Sequence, residues 1–126
     1  MEYSETLKFK DFEIFLESGK YRTAKLNFKP HHILSSKFIT TVFHSFLFTK
    51  EDIQDIINGI ENFYSDEKEV YETKSLIAVY VTREEDDTHS VDIATDKTFT
   101  VLPFADKDEV IKFQSALTKA YYAFDN

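Results

Sequence analysis

Apolar positions recur along this chain with two periods, and the switch between them separates helices from strands. The sharpest pattern lies in residues 46–64. Ile53, Ile56, Ile57, Ile60, Phe63 and Tyr64 keep the i, i+3, i+4, i+7 spacing of one helical stripe. Thr49 stands where an N-cap belongs, with Asp52 three residues on in the place of the capping-box acid. Glu51, Asp52 and Asp55 crowd the first turn, where the positive end of the helix dipole favours them. Burial of such a stripe contributes roughly 1.5–3 kcal/mol per side chain before entropy is counted. The helix therefore needs a broad apolar surface, and the strands around it are expected to wrap onto it. Gly59 costs about 1 kcal/mol against Ala inside a helix, which a close approach to the sheet or to a partner explains.

Period-two alternation marks the strands. Leu7 and Phe9 share one phase and Phe12, Ile14 and Leu16 the other, so a bulge or bend is expected at Lys10-Asp11. Ser18-Gly19-Lys20 reads as a turn, after which Ala24, Leu26 and Phe28 face inward on a returning strand. Pro30-His31-His32 stops it. Residues 37–48 are apolar on both faces, with Phe38, Val42, Phe46 and Phe48 opposite Ile39, Phe43 and Leu47, as in a central strand covered on two sides. A charged connector over 65–72 leads to a similar strand over 75–82. An acidic loop, Arg83-Glu84-Glu85-Asp86-Asp87-Thr88, precedes a shorter strand over 90–94. Thr95-Asp96-Lys97 turns the chain into a last strand with Phe99, Val101 and Leu102, ended by Pro103. Asp106 and Glu109 form a capping box for a final helix whose stripe is Val110, Phe113, Leu117, Ala120, Tyr121 and Phe124.

The order β-β-β-α-β-β-β-α predicts an α+β fold: a largely antiparallel, curved sheet of about six strands with two helices, in one domain spanning residues 1–126. Ile53, Ile56, Ile60, Val110, Phe113 and Leu117 are expected to be buried against sheet residues including Phe43, Leu76 and Val101.

Composition narrows the function classes. Thirteen Phe and seven Tyr, with no Trp, no Cys and one Met, give an aromatic core and exclude disulfides, thiolate chemistry and Cys-containing zinc sites. No run of about 18 apolar residues occurs and no signal-peptide pattern opens the chain, so no membrane partner and a cytoplasmic location are expected. The net charge of -8 is uneven: residues 1–49 carry seven basic and five acidic groups, residues 50–96 four and fourteen, and residues 97–126 four and four. A middle segment at -10 argues against direct nucleic-acid binding and for a basic partner, or else for a solvated face kept for solubility.

Two glycines exclude phosphate-cradling loops, and neither a paired-His helix motif nor a nucleophile elbow is present. His31 and His32 point apart on an extended chain. His44 reads as a core or cleft histidine, and His89 as a surface or loop one. The run Glu84-Glu85-Asp86-Asp87 with Asp92 lacks the alternating ligands and central Gly of a calcium loop. No metal site, cofactor or catalytic residue is therefore expected. The tyrosines combine ring area with a hydroxyl and suit an interface, although a half-buried core edge explains them equally.

The strand ending in Phe46-Leu47-Phe48, the helix opened by Thr49-Lys50-Glu51-Asp52 and closing near Phe63, the strand from Ser75 to Val81, and the terminal helix from Asp106 to Phe124 together resemble small bacterial immunity proteins. The likeness is to those encoded beside wall-associated (Wap-type) contact-dependent toxins and to similarly built domains of unknown function. It covers residues 38–124 in order and pattern. The chain lacks the tryptophans of many such proteins, and no functional residue transfers. The resemblance implies a non-enzymatic, stoichiometric toxin inhibitor that covers the active site of a basic protein such as a nuclease. Asp52, Asp55, Glu61, Glu84, Glu85, Asp86 and Asp87 are then the candidate partner-binding acids. Competing readings are a phage-encoded acidic mimic of nucleic acid that blocks a host defence enzyme, a small-molecule or lipid carrier with a cleft between sheet and Ile53 stripe, and an enzyme built on some of the 23 acids.

Overall fold

The computed structural model describes residues 2–31, 34–35, 40–41 and 44–124. Its strands are β1 (Tyr3–Lys8), β2 (Phe12–Ser18), β3 (Ala24–Pro30), β4 (Leu34–Ser35), β5 (Thr40–Thr41), β6 (His44–Phe48), β7 (Val70–Tyr71), β8 (Ala78–Arg83), β9 (His89–Ala94) and β10 (Phe99–Phe104); its helices are α1 (Lys50–Asp66) and α2 (Lys107–Ala123). The α+β class holds, but the single six-stranded sheet does not. There are two antiparallel four-stranded sheets, ordered β1-β2-β3-β6 and β10-β9-β8-β7, with β4 and β5 as a separate pair.

Beyond the separate β4 and β5, the two extra strands of the four-stranded sheets come from two places. At Lys10-Asp11 the chain does not bend but reverses: Phe9 N–H donates to Phe12 C=O at 2.9 Å, and β1 pairs with β2 from Tyr3 opposite Ser18 to Lys8 opposite Glu13. The phase change was the trace of a turn that carries no glycine or proline. Inside the expected connector, Val70 and Tyr71 pair with Tyr80 and Val79 as β7. The expected hairpin of β2 and β3 is present, with Gly19 at φ 95° in its turn and Ala24, Leu26 and Phe28 buried.

Three further expectations are corrected. The one strand expected over 37–48 is not continuous: Thr40–Thr41 pair with β4 as β5, and β6 is an edge strand covered on one face, with Phe46 and Phe48 buried and Leu47 67% exposed. Phe38, Ile39, Val42, Phe43 and His32 lie outside the described residues, as does the side chain of His44. The strand expected from Ser75 starts at Ala78, because residues 73–77 form a loop. On β10 the inward phase is Thr100, Leu102 and Phe104, so Val101 faces away from the core, and Pro103 sits within the strand rather than ending it. Proline is tolerated there because β10 is an edge.

The two helices pack on each other, α1 against β7 and β8 and α2 against β1 and β2. Ile53, Ile56, Ile60, Val110, Phe113 and Leu117 are completely buried, with Leu76 also in the core. The sheets meet at an aromatic cluster in which Phe104 contacts Phe9, Phe12 and Phe113 at ring-centroid distances of 5.1–5.2 Å. Phe12 also lies 4.9 Å from Phe28. Thr49 and Asp52 form the full reciprocal capping box of α1. At α2, Asp106 caps the Glu109 N–H, but Glu109 turns its carboxylate to the Ala105 and Lys10 amides instead, tying the helix start to the β1–β2 turn.

Gly59 is explained by packing. A Cβ built there lies 2.6 Å from Val79 Cγ1, so the glycine lets α1 rest directly on β8.

Candidate protein-interaction surface

The seven acids singled out in the sequence divide between the two ends of α1, a helix of 17 residues and so about 25 Å long. Asp52 and Asp55 stand at its start and hold structure there. Asp55 is only 2% exposed, and its carboxylate accepts from the backbone amides of Lys74, Ser75 and Leu76 at 2.9, 2.7 and 2.9 Å. It clamps the loop before β8 onto the helix and leaves the set of surface acids. Asp52 is held by the Thr49 amide and by the Ser75 hydroxyl.

The remaining five lie toward the other end. Glu61 is exposed in the last two turns of α1, where it accepts from Ser65 Oγ at 3.0 Å and lies 3.5 Å from Gln114 Nε2. Glu84, Glu85, Asp86 and Asp87 form the exposed tip of the β8–β9 hairpin. The tip is well braced. Glu84 N–H donates to Thr88 C=O at 2.8 Å, Asp87 adopts φ 67°, and Arg83 pairs with the Asp87 carboxylate at 2.8 Å. Thr88 N–H donates to Asp86 Oδ1 at 3.1 Å, a bond that holds the Asp86 carboxyl below the usual carboxylate range. Glu84, Glu85 and Asp86 form no ion pair with any described residue.

Three contacts join this tip to the C-terminus of α1. Val81 N–H donates to Glu69 C=O at 2.9 Å, bringing the chain after the helix alongside β8. The Tyr64 hydroxyl lies 2.7 Å from His89 Nδ1, and the two rings stack at 5.8 Å. His89 in turn stands opposite Arg83 at the base of the hairpin. Burial holds His89 below its ordinary pKa, with Arg83 and Lys107 acting in the same direction and Asp87 and Asp106 against it. Burial, with Asp106 nearby, pushes the Tyr64 hydroxyl up to about 12. The pair is thus neutral near pH 7 and serves as a part-buried tie between helix and hairpin, with His89 itself buried, not as the loop histidine expected.

The tie gathers acids that sequence reasoning passed over. Asp66 ends α1, Glu67 is its C-cap in the left-handed region at φ 55°, Glu69 follows, and no basic residue lies in the last turn. Cations favour a helix C-terminus and glycine favours that cap position, so this arrangement opposes both preferences. That signal was present in the sequence. Nearby cations are engaged or few: Arg83 is paired, Lys107 lies 5.0 Å over the Tyr64 ring, and Lys68 is exposed.

Other features bear on the competing readings. Ile53, Ile56 and Ile60 of the stripe are completely buried, and Ile57, Phe63 and Tyr64 pack against the same core partly buried. An open groove of about 660 Å³ runs between β6, the loop at Ser75–Ile77 and the turn at Thr95–Thr98. Among the described residues no three His, Asp or Glu side chains converge on a metal position. No helix among them is long and apolar enough to cross a membrane. Neither a family model nor a curated protein nor a solved structure matches the chain.

Proposed function

We propose that this chain is a non-enzymatic binding protein that neutralises a basic partner by covering it, the partner being a toxin encoded beside it. The supporting observation is the acidic end: the α1 terminus and the β8–β9 tip, joined through Tyr64 and His89, carry carboxylates against the helix dipole, and in the tip only Asp87 is paired with a cation among the described residues. An ordered patch of one sign steers a partner of the opposite sign and speeds its encounter. The immunity role follows from the resemblance in element order.

The test replaces the tip with neutral isosteres, Glu84→Gln, Glu85→Gln, Asp86→Asn and Asp87→Asn, and follows association with the neighbouring toxin at several salt concentrations. Association should slow by roughly tenfold at low salt and lose much of its salt dependence, while dissociation changes little. An unchanged association rate with unchanged salt dependence would leave the charge a solubility device.

A further inference from the structure

The second sheet has a face that turns away from both helices. Val79, Val81, Val91, Ile93 and Leu102 point into the core, so the alternate positions point outward. Register places Val70, Tyr80, Asp92 and Val101 in one row across all four strands. Phe99 and Val70 are 57% and 58% exposed, and Tyr80, Val101 and Pro103 are half-buried. The open face of an antiparallel sheet is ordinarily polar; this one is largely apolar.

Asp92 stands in its middle. The carboxylate accepts from Ser90 Oγ at 2.6 Å but has no cationic partner among the described residues. Burial pushes its carboxyl above the usual range, the Ser90 hydroxyl acts the other way, and the like charge of Glu84 adds to the rise. A half-buried carboxylate on an apolar face, repelled by its neighbour, gains from an added cation far more than a freely solvated rim acid does.

We infer that this face docks a partner protein that lays an apolar segment across Tyr80 and Val101 and sets an Arg or Lys side chain between Asp92 and Glu84. The occupant is fixed by complementarity: apolar surface calls for apolar surface, and two uncompensated carboxylates call for a cation. An anchor of this kind at the centre of a patch acts mainly on dissociation, whereas the hairpin tip acts on encounter. The inference rests on the basic-partner reading and narrows it to one face.

The probe is a peptide of alternating Leu and Arg, with one of alternating Leu and Glu as control, titrated into the isotope-labelled full chain while amide shifts are followed. Saturable shifts should centre on Tyr80, Asp92 and Val101 with the Arg peptide alone. Asp92→Asn should weaken binding roughly tenfold, and Val101→Glu, on the same face, should disturb the docking as an independent variant. Shifts confined to the tip and the end of α1, or equal binding by Asp92→Asn, would overturn this docking face while leaving the basic-partner reading intact. Absence of any saturable shift would overturn the docking face, and the tip-neutralisation kinetics would then decide the broader reading alone. Self-association of the free chain, abolished by Val101→Glu, would also overturn it, because the occupant would then be a second copy.

Discussion

Among single residues, Asp55 has the most clearly defined work. An acid this near a helix start normally reads as a solvated charge answering the dipole, although Asp55 lies beyond the first turn, whose acids are Glu51 and Asp52. Here it is buried beneath the loop at residues 73–77 and takes three backbone N–H groups. Thr73 braces the same loop, its hydroxyl donating to the Leu76 and Ile77 carbonyls. Removing the carboxylate leaves three donors without an acceptor, so Asp55→Ala should destabilise the fold by about 2–4 kcal/mol. Asp55→Asn should recover only part, since its amide offers one acceptor and turns N–H groups toward other donors. Denaturant unfolding of the two variants checks this. A loss below half a kcal/mol, the ordinary effect of a surface substitution, would contradict the clamp.

At the level of elements, α1 and β8 share one contact that sequence and structure explain together. Replacing glycine with alanine in a helix interior ordinarily gains about 1 kcal/mol. At Gly59 the added methyl meets Val79, itself wholly buried. Overpacking of that kind costs roughly 1–3 kcal/mol, so Gly59→Ala should come out destabilising by about 1 kcal/mol. Val79→Ala made in that background should cost less than it does alone, which a double-mutant cycle measures. Strict additivity would remove the close approach as the reason for the glycine. The helices were legible because stripes and caps are local: both were read to within about three residues of Lys50–Asp66 and Lys107–Ala123. The sheets were less so. The β1–β2 turn at Lys10-Asp11 has none of the usual turn residues, and β7 is two residues within a charged run. Which strand lies at an edge depends on long-range pairing, so Leu47 and Val101 were assigned to buried faces they do not occupy. Asp92 was noticed only beside the acidic run, and its place on an apolar sheet face was hidden for the same reason: a polar residue between Val91 and Ile93 is what any half-exposed strand shows, and its apolar surroundings come from three other strands.

Across the whole molecule, the tie at one end and the carboxylate on the open sheet face respond to pH in opposite directions. His89 is held below its unfolded pKa of about 6.5. The unfolded chain therefore binds its proton first, and the stability from burying the neutral ring is present above about pH 6.5 and lost as pH falls through the folded value. Asp92 is held above its ordinary carboxylate value. The folded chain binds that proton first, so its contribution is full below the unfolded pKa and declines as pH rises through the folded one. At pH 7 the Asp92 charge thus works against folding. Asp92→Asn should raise the melting temperature at pH 7, with the gain vanishing in acid where the wild-type carboxyl is protonated. His89→Gln should remove the stability step just below pH 6.5 without altering the Asp92 effect. Melting curves of the three proteins from pH 4 to pH 8 decide both points. An Asp92→Asn variant that melts lower at pH 7 would show the carboxylate to be satisfied within the fold. One that melts higher and binds the Arg probe less well would show a charge retained at a cost to folding, as a surface built to receive a cation requires.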